Sequence, residues 1–223
     1  MRRKFGSWSG VMLGLVLAAG ASADVGLGVK AGTLGPGVDL TVGLSEALNI
    51  RVGWNKFQYD YDTTLENDNG SAPDDLSAKL DLETVPVLLD WHLFQGGFRF
   101  SGGVVFNSNK ILLSAKPGDT IDFNDIAFQV DSVTGGADFE AVALYLGLGV
   151  GNAVSSDGNW NFVFDLGVMF QGEPEITLNA VAANPALQAE LNEAVEAERL
   201  EVQDDASAFQ YYPVLAIGIS YKF

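Results

Sequence analysis

Alternation with a period of two residues, set among glycines, governs what this chain can become. Residues 160–171 read WNFVFDLGVMFQ, which puts Trp160, Phe162, Phe164, Leu166, Val168 and Phe170 on one face and Asn161, Val163, Asp165, Gly167, Met169 and Gln171 on the other. A helix would scatter these side chains, so the segment reads as a strand. Residues 211–223 repeat the pattern, with Leu215, Ile217, Ile219, Tyr221 and Phe223 opposed to Val214, Ala216, Gly218, Ser220 and Lys222. The same test predicts eight strands, at 25–32, 37–44, 49–59, 80–93, 98–107, 139–151, 160–171 and 211–223. Eight is an even number, as a closed up-and-down barrel of one chain requires.

Alternation alone does not say which face is wet, because a soluble barrel turns its apolar side inward. The second face decides. A soluble barrel would carry solvated side chains there, whereas this chain carries eleven glycines: Gly26, Gly28, Gly32, Gly43, Gly53, Gly103, Gly147, Gly149, Gly151, Gly167 and Gly218. Glycine suits the crowded interior of an eight-stranded barrel, so the Val, Leu, Phe and Trp face must look outward into lipid. The expected fold is all-β, an eight-stranded antiparallel up-and-down transmembrane β-barrel.

The inner face should hold Lys30, Arg51, Arg99 and Lys222 against Asp39, Asp90 and Asp165, with His92, a nearly neutral set. Charges withdrawn from water need such partners. A first turn centred on Leu34 and Gly35 places Lys30 directly opposite Asp39. A turn at 94–97 places His92 opposite Arg99 inside and Trp91 opposite Phe100 outside. Two irregularities are expected. Pro86 lacks a ladder donor and predicts a bulge or a broken pair, and the aromatic positions switch phase after Trp54 to Phe57, Tyr59 and Tyr61, so the third strand either carries a bulge or has left the membrane.

The beginning of the chain reads as an address. Arg2, Arg3 and Lys4, an apolar run over 11–19 and the Ala21-Ser22-Ala23 site form a secretory signal peptide over 1–23, leaving a single barrel domain over 24–223. Short connections at 45–48, 94–97 and 152–159 alternate with long ones at 60–79, 108–138 and 172–210, and only the external turn at 33–36 is tight. The long set is therefore external, and Trp91, Phe98, Trp160, Tyr221 and Phe223 gather as a periplasmic aromatic girdle. Of 29 acidic residues, 23 lie within the stretches 60–83, 119–140 and 173–205, which take in most of the long connections, and the formal net charge is −17. That field repels nucleic acid and suits divalent cations that bridge to lipopolysaccharide phosphates. The stretch over 66–75, ENDNGSAPDD, fails as a calcium loop: with Gly70 sixth, the first ligand position falls on Leu65. There is no cysteine, which removes thiolate nucleophiles and thiolate metal sites. In the last connection, Asn184-Pro185 and the stripe Leu187, Leu191, Val195 and Val202 predict a helix over 185–203, packed over the external mouth or acting as a lid.

The terminal YPVLAIGISYKF, the signal peptide and the eight strands resemble the small eight-stranded outer-membrane barrels of Gram-negative bacteria. The segments GTLGPGVDL, LLDWHLFQGGFRFSGG, YLGLGVGNA and FDLGVMFQG are similar to proteobacterial outer-membrane proteins related in size and topology to the OmpA barrel domain and OmpW-like proteins. The resemblance implies residence in the outer membrane as a monomer, contact with its lipids and lipopolysaccharide, and assembly through the C-terminal strand by the barrel-assembly machinery. It carries no catalytic motif. Lipid A-modifying barrels use a His with Ser and acidic partners near the outer leaflet, whereas the single histidine here, His92, falls at the periplasmic end as part of the interior filling, bonded to Asp90 or Ser101. No catalytic, cofactor or metal residue is therefore expected, and the chain is not read as an enzyme. The expected function is structural, adhesive or envelope-stabilising, with a polar filled lumen and acidic external loops. The alternatives are passive uptake of a small hydrophobic solute, as OmpW-like proteins suggest, and a lipid A-modifying enzyme, for which no outer-leaflet base is present.

Overall fold

The computed structural model describes residues 24–65, 74–93, 97–115, 118, 120–123, 126–155 and 158–223. The signal peptide expected over 1–23, residues 66–73 of the rejected calcium loop and residues 94–96 of the turn expected at 94–97 lie outside the described residues. The strands are β1 (Val25–Gly32), β2 (Gly37–Ser45), β3 (Leu48–Leu65), β4 (Asp74–His92), β5 (Phe98–Asn107), β6 (Lys110–Ala115), β7 (Thr120–Phe123), β8 (Ile126–Asp138), β9 (Val142–Val150), β10 (Trp160–Phe170), β11 (Glu175–Ala182) and β12 (Tyr211–Lys222). Helix α1 spans Gln188–Asp205, preceded by a 3-10 turn, Pro185–Leu187, whose cap is the Asn184 side chain accepting from the Ala186 N–H.

Antiparallel pairing runs β4, β3, β2, β1, β12, β10, β9, β5 and returns to β4, so eight strands close a ring with sequential neighbours throughout. These eight are the alternating strands expected from sequence. The long connections differ from expectation: they contain β6, β7, β8 and β11, and β3 and β4 run on as one hairpin to Leu65 and Asp74. Beyond the ring these extensions form an open sheet in the order β3, β4, β6, β8, β11. Helix α1 covers one end of that sheet through Leu191, Ala194 and Val195, which bury against Phe123, Phe128, Val130, Val133 and Ala182. The helix thus covers this sheet at its β8 and β11 end.

The ring keeps the expected faces. Phe164 is 41% exposed and Ile217 is 65% exposed, while Asp165 is buried at 4%. Outward Leu40, Val42 and Val52 are exceptions at 9% or less. The hairpin registers test the sequence reading one by one. Trp91 pairs Phe100 and His92 pairs Arg99, as expected. The first hairpin is shifted by two: Lys30 faces Gly37 and Asp39 faces Gly28. The cause is the turn, closed from Gly35 N–H to the Gly32 carbonyl at 2.9 Å with Gly35 at φ +87°, which centres it on Thr33 and Leu34. At Pro86 the β3–β4 ladder lapses, with Gly53 and Trp54 unpaired to Val85 and Pro86 before the same register resumes at Asn55↔Thr84. Because that register is unchanged, the phase switch after Trp54 is no bulge; β3 leaves the ring, whose last β2 partner is Gly37 opposite Asn55.

Candidate functional site

Parity along the ring strands sends one side chain in two to the axis, and these side chains fill it in layers. Nearest the chain termini, His92 is 2% exposed and its Nε2 lies 3.0 Å from Asn49 Nδ2, which also donates to Asn152 Oδ1 at 3.0 Å. Asp90 and Ser101, the partners expected for His92, bond each other, Ser101 Oγ donating to Asp90 Oδ1 at 2.5 Å.

The next layer is ionic. Arg51 sits at the centre and binds two carboxylates in bidentate fashion: Asp90 through Nε (2.8 Å) and Nη2 (3.0 Å), and Asp165 through Nη1 (2.9 Å) and Nη2 (3.1 Å). Arg99 Nη2 joins Asp165 Oδ1 at 2.7 Å and also donates through Nη1 to the Gly151 carbonyl. Lys30 Nζ lies 2.7 Å from Asp39 Oδ1, and Arg51 Nη1 lies 3.7 Å from Asp39 Oδ2. The Lys30–Asp39 pair expected from sequence therefore exists, made diagonally by a long side chain across the shifted register. Three cations meet three anions, all with side chains no more than 11% exposed. Lys222, expected in the same set, stands apart and pairs with Asp24 at 2.9 Å. Glycine makes room for the layer: a Cβ on Gly149 would sit 2.7 Å from Arg99 Cζ, so the guanidinium lies against that backbone.

Above the ions the interior turns apolar. Leu34, Leu88, Val105, Ala143, Tyr145, Met169 and Val214 form one buried cluster, with Tyr212 against it. The lumen is thus polar in part only, which corrects the expectation of a polar filling throughout. Parity had already placed Met169 and Val214 inside; what was missed is that Leu34, from the first turn, folds in beside them. A further polar layer, Asn55, Thr84, Asn107 and Gln171, closes the end toward the long connections, where Asn55 Nδ2 donates to Thr84 Oγ1 at 3.0 Å. A cavity beside the ionic layer measures about 20 Å³, room for about one water.

Outside, Leu27, Val29, Leu89, Leu144, Leu146, Leu148, Phe162, Leu166 and Leu215 form an exposed apolar band. An aromatic rim borders it at the terminal end, with Trp91 beside Phe100 at 6.2 Å, Trp160 beside Tyr221 at 5.0 Å and Tyr221 beside Phe223 at 5.3 Å between ring centroids. A second rim, unforeseen from sequence, holds Phe170 beside Tyr211 at 5.8 Å. Ten residues separate Trp160 from Phe170 along β10, which at ~3.3 Å rise and ~40° tilt gives a band of about 25 Å. No helix among the described residues is long and apolar enough to cross a membrane, and no cluster of three or more His, Asp or Glu suited to a metal occurs among them. On α1 the one base, Arg199, donates to Glu196 at 2.7 and 2.9 Å, and those hydrogen bonds hold the Glu196 carboxyl below its ordinary range.

Among solved structures, CarO2 of Acinetobacter baumannii is similar at 16% identity and a TM-score of 0.58, over 90% of this chain and 98% of that one. CarO of the same organism is similar at 20% identity and a TM-score of 0.56, again over 90% of this chain and 98% of that one. A major outer membrane protein of Thermus thermophilus aligns more loosely, at 14% identity and a TM-score of 0.39, over 91% of this chain and all of that one. No protein-family model matches the chain, and no curated protein does. At such identities the two CarO matches establish a shared fold.

Proposed function

We propose that the chain is a monomeric, eight-stranded outer-membrane β-barrel, closed to ions, that presents an acidic β-sheet outside the cell for an adhesive or envelope-stabilising role. The observation that carries this reading is the pairing of two layers at one depth: an outward apolar band between aromatic rims, and inside it the Arg51–Asp90–Asp165 network filling the cross-section. A surface of exposed Leu, Val and Phe around a buried ionic core is the reverse of a soluble barrel and matches a protein solvated by acyl chains. The closed ring leaves no unpaired edge at membrane depth, as a bilayer demands. The first described residue, Asp24, and Phe223 lie at the end with short connections, the periplasmic side in this family of architectures, and the signal peptide read over 1–23 accounts for export.

The experiment is electrophoresis of outer-membrane fractions with and without boiling. The folded barrel migrates differently from the boiled chain; a protein absent from that fraction, or indifferent to heat, sinks the reading. One observation favours a second reading, passive entry of a small apolar solute: the upper interior is lined by Leu88, Val105, Met169 and Val214. Uptake of such a solute into liposomes carrying the protein, over empty liposomes, is its test.

A further inference from the structure

The sheet that rises beyond the ring is open, and an open sheet has two edges that must be managed. The edge at β11 is closed by α1. Gln203 accepts from the Ile176 N–H at 3.0 Å and donates to the Pro174 carbonyl at 2.8 Å, and Gln188 accepts from the Ala182 N–H at 2.9 Å and donates to the Ala180 carbonyl at 3.1 Å. Each glutamine amide stands in for a residue of a missing neighbour strand.

The edge at β3 has no such cover among the described residues. β2 accompanies β3 only as far as Gly37↔Asn55, and the last backbone bond across that seam runs from the Lys56 N–H to the Pro36 carbonyl at 3.1 Å. From there to Leu65, β3 is paired with β4 alone. Backbone groups of an antiparallel strand alternate sides, so Gln58, Asp60 and Asp62, in phase with Lys56, turn their N–H and C=O groups to the open edge.

The side chains along this edge alternate in character. Phe57, Tyr59 and Tyr61 stack at 6.4 and 6.5 Å between centroids on the face continuous with the ring interior, exposed by 38 to 54%. Exposed Ile111 and Leu113 of β6 lie on the same face. Gln58 and Asp60 are exposed on the opposite face. Over 56–83 the hairpin carries eight carboxylates and two lysines, and both lysines are engaged, Lys56 with Glu83 at 3.0 Å and Lys79 with Asp60 at 3.6 Å. A second copy of the chain docking edge to edge would bring two hairpins of net negative charge together, which disfavours self-pairing.

We infer that the free edge of β3, from Lys56 to Asp62, accepts an extended cationic segment of another polypeptide by strand addition. Its apolar alternate residues lie beside Phe57, Tyr59 and Tyr61, and its lysines or arginines beside Gln58 and Asp60. The inference rests on the reading that this sheet stands outside the membrane. The test uses the full chain refolded in detergent micelles, its fold first verified by the heat-dependent gel shift, and a labelled ten-residue peptide alternating lysine and valine. Saturable binding is expected, at least tenfold weaker when alternate peptide nitrogens are methylated, and at least tenfold weaker with Gln58→Pro, which removes an edge donor where proline is tolerated. Tyr59→Ser is expected to weaken it as well. A correctly shifting protein that binds nothing, binds the methylated peptide equally, or binds equally as Gln58→Pro overturns the inference. So does peptide-independent cross-linking between two copies through Gln58→Cys. Loss of the gel shift itself would instead count against the membrane reading.

Discussion

Arg51 is the residue on which the interior turns. It satisfies Asp90 and Asp165 at once, and its removal leaves Asp90 buried without its bidentate partner and Asp165 with Arg99 alone. Breaking a buried pair by deleting one partner costs about 3 to 5 kcal/mol, so Arg51→Met is expected to lower unfolding stability in urea-titrated micelles by that amount. Adding Asp165→Asn to the Arg51→Met chain should recover part of the loss, because the two sites are coupled; strictly additive costs would show that the bidentate geometry contributes nothing. His92 makes the contrasting case. Its ring lies beside Asn49, at the end of the ring of strands that carries Asp24 and Phe223, and His92→Ala is expected to leave lipid A composition unchanged by mass spectrometry. An altered lipid A spectrum would revive an enzymatic role. Much of this layer was legible beforehand: the parity of the strands named Lys30, Arg51, Arg99, Asp39, Asp90 and Asp165 as one inward set. The Lys30–Asp39 pair was read from a register two residues off, and the carboxylates that Arg51 and Arg99 meet were not legible, since side-chain reach across a twisted ring overrides direct cross-strand opposition. Lys30 reaches Asp39 although Gly37 is its register partner.

At the scale of elements, strands with one outward apolar face and one axial face announce themselves differently from strands outside the ring. The ring strands showed a clean period of two because one face meets acyl chains and the other a crowded axis. β6 escaped because Ile111, Leu112 and Leu113 run consecutively apolar, while β11 carried a usable signal, Ile176, Leu178, Ala180 and Ala182 alternating with Glu175, Thr177, Asn179 and Val181. That alternation is short and was hidden within an acidic stretch that reads as loop. Leu166, on the outward face near the middle of β10 and 52% exposed, tests the lipid-facing assignment: Leu166→Arg is expected to destabilise the protein by about 2 to 4 kcal/mol. Unchanged stability in micelles and liposomes would mean that the face is not seated in hydrocarbon. The glutamines of α1 give an independent test of the outer sheet. Replacing both Gln188 and Gln203 by Ala uncovers the β11 edge and is expected to produce self-associated species on native gels, whereas a chain that stays dispersed would show that these hydrogen bonds do not guard the edge.

For the whole molecule, the two halves of the chain obey different solvents. Inside the band, burial of ions succeeds because three cations and three anions share one layer, and the cavity beside them, about 20 Å³, has room for about one water. Outside the band, 23 of 29 acids are concentrated on connections and sheet, where water and counter-ions screen them within about 8 to 10 Å at ordinary salt. A barrel arranged this way should be electrically silent. Planar bilayers containing the wild-type protein are expected to show little or no steady current, since the ionic layer and the apolar layer above it lie in series along the same axis. Steady, voltage-independent conductance through single inserted molecules would require a continuous water path past both Arg51 and Met169. Observing it would show that the interior packing opens in the membrane and that the protein conducts rather than plugs.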